Sequence, residues 1–173
     1  MIIAISGKSG CGNTTVSTKL AEKLGLKLIN YTFRNLAADT GRDFKEVCQL
    51  AKTDFSFDKY IDSHQVELAR QGNCVLGSRL AIWMMKEADL KIFLEASIET
   101  RAKRIVEREG GTFQQRYDET AARDESDTNR YIQLYGIDNN KHDFADMIID
   151  TALYTPDQIV DMIVAEVQRR GLK

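Results

Sequence analysis

The feature that most constrains the fold is a glycine-rich segment near the start of the chain, GKSGCGNTT at positions 7–15. The residues before it, IIAIS at 2–6, form a β-branched run typical of a buried strand, and apolar residues recur at helical spacing from Thr14 onward. A glycine-rich loop between a strand and a helix can aim successive backbone N–H groups and the positive end of the helix dipole at one point. The segment therefore predicts a phosphate-binding loop, and the alternative is a glycine-rich turn that binds nothing. The candidate phosphate-binding residues are Gly7, Lys8, Ser9, Gly10, Cys11, Gly12, Asn13, Thr14 and Thr15.

Position 13 departs from the phosphate-loop pattern G-x-x-x-x-G-K-[ST], in which the lysine meets the β and γ phosphates of a nucleotide. Asn13 can donate hydrogen bonds there but brings no charge. Lys8, one residue after Gly7, is a candidate catalytic residue that replaces the missing lysine, and the alternative is a solvated loop lysine. Thr14 stands where the loop hydroxyl normally meets Mg²⁺, so the sequence predicts Mg²⁺ as a cofactor and Thr14 as its ligand.

Strand and helix patterns alternate after this loop. Further apolar runs typical of buried parallel strands occur at 26–30, 73–78, 90–96 and 146–150. The alternation predicts an α/β fold of three layers, in which a five-stranded parallel sheet lies between helices. We expect a single domain over 1–173, with its core at about 1–30, 72–96 and 144–173.

Two segments are longer than a connection between neighbouring strands requires. The first, at about 31–71, has the pattern of two or three helices, and the second, at about 97–135, of two long and highly charged ones. Insertions of this size in a small α/β sheet usually serve function, because the sheet does not need them. The alternative is that they are additional packing helices.

The composition excludes several classes of partner. The 24 basic and 26 acidic residues give a net charge of −2, so no overall field attracts a nucleic acid or an anionic membrane. No segment approaches the ~18 apolar residues of a membrane span. Cys11, Cys48 and Cys74 lack the spacing of a metal site and are predicted to be reduced thiols. We expect a cytoplasmic protein that is a monomer or a weak dimer.

Arginines recur at helical spacing in the second insertion. Two sets each share one helix face, namely Arg101, Arg104 and Arg108, and Arg116, Arg123 and Arg130. Such rows could fold over a polyphosphate and donate paired hydrogen bonds to it, whereas the acidic residues around them equally permit surface helices with ion pairs between successive turns. Arg34 and Arg79 follow the second and third strand patterns, so both should lie at the carboxyl edge of the sheet, where a smaller phosphate could bind. Surface and loop charges are the alternative for this pair.

Several segments in this order resemble the archaeal-type cytidylate kinases, a family of P-loop nucleoside monophosphate kinases. They include TFRNLAADTGRDFKEV, FDKYIDSHQVELARQGNCVLGSRLAIWM and, most specifically, RDESDTNRYIQLYGID at 123–138, and the resemblance covers nearly the whole chain. It implies transfer of the γ-phosphoryl group of Mg·ATP to CMP or dCMP, with 31–71 as the insertion that binds the monophosphate and 97–135 as a lid. By position it also implies that Arg34 and Arg79 bind the acceptor phosphate, that Asp58 and Asp62 line the acceptor pocket, and that Arg123 and Arg130 are catalytic lid arginines.

Two other functions remain open at this point. One is a nucleotide-binding pseudokinase or regulatory module, which binds a nucleotide and responds by lid closure without chemistry. The other is a kinase of a different small acceptor. In each of these cases the partners are small-molecule nucleotides or metabolites, and neither a nucleic acid nor a membrane is expected.

Overall fold

Five parallel strands form one sheet in a computed structural model that describes residues 1–173. The strands are β1 (Ile2–Gly7), β2 (Lys27–Ile29), β3 (Cys74–Gly77), β4 (Leu90–Glu95) and β5 (Met147–Asp150). Their spatial order is β2-β3-β1-β4-β5, and every neighbouring pair is parallel. The predicted α/β class and the five-stranded parallel sheet are confirmed, with strand ends that differ by at most one residue from the sequence patterns.

Eight helices connect and cover the strands. They are α1 (Asn13–Leu24), α2 (Phe33–Thr40), α3 (Phe44–Leu50), α4 (Ser56–Ala69), α5 (Ala81–Met84), α6 (Ile98–Glu109), α7 (Phe113–Tyr135) and α8 (Pro156–Arg169). The first insertion holds α2, α3 and α4, and the second holds α6 and α7, in agreement with the helices that the sequence predicted there. None of these helices is long and apolar enough to cross a bilayer.

The core has one layer on each face of the sheet, because successive strand residues point to opposite faces. Ile3 and Ile5 of β1 pack on one side with residues of α1 and α8, such as Leu20 and Ile163. On the other side Ala4 packs with residues of β3, α4 and α5. Burial on both faces accounts for the almost continuous apolar character of the central strands.

All strands run in the same direction, so their carboxyl ends meet at one edge of the sheet. The register pairs Ile5 of β1 with Gly77 of β3, and Gly7 with Leu94 of β4. The glycine-rich loop after β1 therefore lies beside the segment that follows β3. Ligands of open parallel sheets bind at this edge, which is where the insertions also converge.

Candidate active site

A cavity of about 610 Å³ lies at the carboxyl edge of the sheet. The glycine-rich loop forms one wall, and the two insertions supply most of the rest. The loop residues that line it are Gly7, Lys8, Ser9, Gly10, Gly12, Asn13, Thr14 and Thr15. Residues from the insertions and from the segment after β3 include Asp58, Asp62, Gln65, Ser78, Arg79, Arg104, Arg108, Arg123, Arg130 and Tyr131. Most of the residues proposed from the sequence thus face one space.

The loop has the backbone geometry of an anion site. Gly10 and Gly12 adopt positive φ angles of 83° and 93°, a conformation that residues with a Cβ rarely adopt. Gly12 caps α1 and has no side chain that could accept from the N–H groups of the first turn. Nothing lies within 4 Å of a Cβ built on Gly12, which leaves room for a ligand at the positive end of the helix.

The chain offers Mg²⁺ a limited set of ligands. Thr14 is exposed in the first turn of α1 and lines the cavity. No group of three acidic, histidine or cysteine side chains surrounds a possible metal position. A single hydroxyl beside a phosphate site fits Mg²⁺, because this ion typically takes its other ligands from nucleotide phosphates and water.

Asn13 directs its side chain toward the sheet. Its Nδ2 donates to the backbone oxygens of Ile5, at 3.1 Å, and Ser78, at 3.3 Å. Its Oδ1 accepts from the Ser17 hydroxyl at 2.9 Å. The side chain that replaces the loop lysine is therefore occupied by protein groups.

Lys8 projects from the loop toward the second insertion. Its Nζ donates to Asn140 Oδ1 at 2.7 Å and lies 3.9 Å from Asp124 Oδ2. Asp124 belongs to α7, so this lysine connects the phosphate loop to the lid. Lys8 lines the cavity, and its predicted catalytic role stays a prediction.

Two arginines at the cavity, Arg79 and Arg130, share one carboxylate cluster, and Arg123 lies near them. Arg79 pairs with Asp127 of α7, and Arg130 contacts Asp127 at 2.9 Å and Asp58 at 3.5 Å. Burial opposes the charge on Arg79, but Asp127, Tyr131 and Asp124 together outweigh this effect, so the pKa of Arg79 is raised. Arg123 makes no hydrogen bond or ion pair with the protein, and the neighbouring charge of Arg79 together with burial lowers the pKa of Arg123. An anion between Arg79 and Arg123 would relieve this repulsion.

The other arginines of the two rows mostly serve the structure. Arg101 is 4% exposed and makes a two-point contact with Asp124, at 3.1 and 2.6 Å, while it also donates to the Ser9 carbonyl at 3.2 Å. Arg104 donates to the Gly10 carbonyl at 3.2 Å. These contacts fasten α6 and α7 to the phosphate loop. Each row is therefore divided between residues that hold the lid and residues that face the cavity.

A polar face of α4 lies on the opposite side of the cavity. Asp58, Asp62 and Gln65 are spaced so that they share this face. Tyr135 donates to Asp62 Oδ2 at 2.8 Å, yet burial raises the pKa of Asp62 to about 6. Burial also raises the pKa of Asp58, although Arg130 acts in the opposite direction. Asp58 Oδ2 and Gln65 Oε1 are buried without a hydrogen-bond partner, so this face has unused acceptors.

Two proposed site residues do not line the cavity, namely Cys11, which is buried in the core, and Arg34. The Arg34 side chain is exposed on α2, with the guanidinium 4.4 Å from the centre of the Phe44 ring. Gln65, Tyr131 and Asp127 were not among the predicted site residues, but the structure brings them to the site. For Gln65, its helical spacing from Asp62 was a signal in the sequence that could have indicated it.

Comparison with known proteins assigns this chain to a family. Residues 2–153 match the model of the Cytidylate kinase-like family. The chain belongs to this family. "Cytidylate kinase 2" of Borreliella burgdorferi is 44% identical over 100% of this chain and 98% of its own length. "Cytidylate kinase" of Pyrococcus horikoshii is 38% identical over 96% of this chain and 88% of its own length. The resemblance seen in the sequence is thereby confirmed.

The fold also resembles that of other P-loop kinases. A shikimate kinase from Bacteroides thetaiotaomicron superimposes with a TM-score of 0.66 over 97% of this chain and 98% of its own, at 13% identity. At that identity the likeness concerns the fold alone.

Proposed function

We propose that this protein transfers the γ-phosphoryl group of Mg·ATP to CMP or dCMP. The observation that supports it most is full-length similarity, at 44% and 38% identity, to relatives named cytidylate kinase. In this chain a phosphate loop faces unpaired arginine charge and a polar helix face across one cavity, so there is room for two nucleotides whose phosphates meet near Arg79 and Arg123.

The donor side consists of the loop and the start of α1. The backbone N–H groups of Gly10 to Thr15 and the helix dipole bind the donor phosphates. Thr14 holds Mg²⁺, which shields the phosphate charge when it is bound. Lys8 exchanges Asn140 for a phosphate oxygen, since a lysine ammonium gains more from an anion than from a neutral amide.

The transferring group lies between the lid and the segment after β3. Arg123 has no protein partner and is free to donate to the developing charge on the phosphoryl oxygens. Arg130 is held in position by Asp127 and Asp58 and adds a second guanidinium. Enzymatic phosphoryl transfer depends mainly on positioning and charge neutralisation, which this set of residues supplies without a covalent intermediate.

The acceptor lies along α4. Arg79 binds its phosphate, and Arg34 joins it when the first insertion closes over the cavity. Asp58 and Asp62 face the nucleoside, where the unpartnered Oδ2 of Asp58 suits a hydroxyl or amino donor. The insertions at 31–71 and 97–135 act as the monophosphate-binding and lid segments in this proposal, as closure would exclude water from the reaction.

A coupled ADP-release assay with CMP, dCMP, UMP and AMP tests this function. We expect CMP or dCMP to have the highest kcat/KM. Faster turnover of AMP or UMP would instead make the protein a kinase of another acceptor. Binding of ATP without turnover of any acceptor would make it a nucleotide-binding module. The variant Thr14→Ala, purified in parallel, reports any contaminating kinase.

A further inference from the structure

The residue that stands in place of the loop lysine bridges two strands. Asn13 donates to the carbonyls of Ile5, in β1, and Ser78, directly after β3. The Ile5 carbonyl also accepts from the Ser78 backbone N–H at 3.1 Å, so one amide side chain closes a small network at the ends of both strands. Ser17, one turn further along α1, fixes the orientation of that amide through its hydroxyl.

Gly77, the last residue of β3, packs directly against this network. A Cβ built on Gly77 would lie 2.5 Å from Ser17 Oγ and 3.1 Å from Asn13 Oδ1. Only glycine leaves space at that position for the Asn13 and Ser17 side chains. We refer to the contacts of Asn13 with Ile5, Ser78 and Ser17 as the Asn13 clamp.

The clamp joins the donor side of the cavity to the acceptor side. Asn13 begins α1 directly after the phosphate loop, whereas Ser78 precedes Arg79, which pairs with the lid through Asp127. Holding the Ser78 carbonyl fixes the backbone from which Arg79 enters the cavity. The Asn13 side chain has no donor left for a phosphate while these contacts last.

We propose that Asn13 is a positioning residue for the acceptor subsite, which holds the Ser78–Arg79 segment in its binding conformation, and that it does not take over the charge-neutralising role of the loop lysine. The inference rests on the proposed function, because it needs an acceptor phosphate at Arg79. Without the clamp the Ser78–Arg79 segment spends part of its time in other conformations. The affinity for the acceptor then falls in proportion to the population of the binding conformation. The donor loop keeps its backbone N–H groups, so donor affinity is retained.

Calorimetric titration of the whole protein separates these effects without turnover. CMP and the non-hydrolysable donor Mg·adenylyl imidodiphosphate are titrated separately into wild type and Asn13→Ala. The variant is expected to bind CMP more weakly by on the order of tenfold, which corresponds to the loss of two neutral hydrogen bonds. Its affinity for the donor analogue should change by less than about twofold.

Two further variants calibrate the result. Ser17→Ala removes the bond that orients the amide but leaves both donors, so it should weaken CMP binding by a smaller factor than Asn13→Ala. Lys19→Ala changes an exposed residue of the same helix that pairs with Asp157, and it should affect neither nucleotide. Should Asn13→Ala fail to fold, Asn13→Ser is compared in its place, because a serine hydroxyl is too short and too poor in donors to bridge both carbonyls.

The outcomes distinguish the clamp from the proposed function. A wild-type protein that binds neither CMP nor dCMP refutes the proposed function itself. The clamp is refuted, and the proposed function stands, if wild type binds CMP but Asn13→Ala lowers the affinity for the donor analogue at least as much as the affinity for CMP. Steady-state kinetics give a second measure: the clamp predicts a raised KM for CMP beside an unchanged KM for ATP, a difference that simple loss of stability does not produce.

Discussion

The buried carboxyl group of Asp62 should make the stability of the protein depend on pH. Burial raises the pKa of Asp62 to about 6 from an ordinary value of 3.8, although the hydrogen bond from Tyr135 favours the charged form. The folded protein therefore holds this proton more tightly than the unfolded chain does. The contribution of the protonated Asp62 carboxyl group to stability is complete below about pH 4 and is lost as the pH rises to about 6. Above that pH the charged carboxylate costs on the order of 2–3 kcal/mol.

Asp62→Asn removes this cost and keeps an oxygen that accepts from Tyr135. We expect the variant to exceed wild type in free energy of unfolding by on the order of 2 kcal/mol at about pH 7.5, and by much less near pH 4.5. Urea unfolding at both pH values gives the difference, with Asp143→Asn, at an exposed aspartate, as the control. If Asp62→Asn raised the free energy of unfolding equally at the two pH values, this reasoning would be refuted, because the gain would not depend on the charge of Asp62.

Four other substitutions test the lid and the loop. Arg123→Ala and Arg130→Ala should each lower kcat by on the order of 10²-fold while the dissociation constant of ATP changes little, and an unchanged kcat with a raised KM would return these arginines to a binding role. Lys8→Ala should also lower kcat by on the order of 10²-fold without a loss of thermal stability, as measured by calorimetry beside turnover. Arg101→Leu leaves Asp124 without its partner, so it should lower stability by about 3 kcal/mol and Tm by about 6–12 °C, and a Tm within about 2 °C of wild type would contradict the structural role.

The sheet and the phosphate loop were predictable because their signals are local. Each strand is a short apolar run, and the loop is defined by glycines between one strand and one helix. The spacing of Asp58 and Asp62 likewise places both on one face of a helix, whatever the rest of the fold does. These features can be predicted without knowing which distant residues come into contact in the fold.

The contacts that decide the roles of individual site residues are not local. Asn13 meets a carbonyl 65 positions away, and Arg79 meets Asp127 48 positions away. The spacing of the arginines predicted shared helix faces correctly, but only the packing of α6 against the loop separates Arg101, which is buried, from Arg123, which is free. Arg34 lies on an exposed side of α2 against Phe44, and no sequence pattern records which way this helix faces.

Formation of CDP from Mg·ATP and CMP, measured chromatographically for wild type and Asn13→Lys, tests the central claim most directly. The account predicts that wild type forms CDP with a kcat in the ordinary range of kinases, ~1–100 s⁻¹, although it lacks the loop lysine. It also predicts that Asn13→Lys is no faster, because lysine breaks the contacts with Ile5 and Ser78. A wild-type protein that forms no CDP, beside an Asn13→Lys variant that does, would contradict the account.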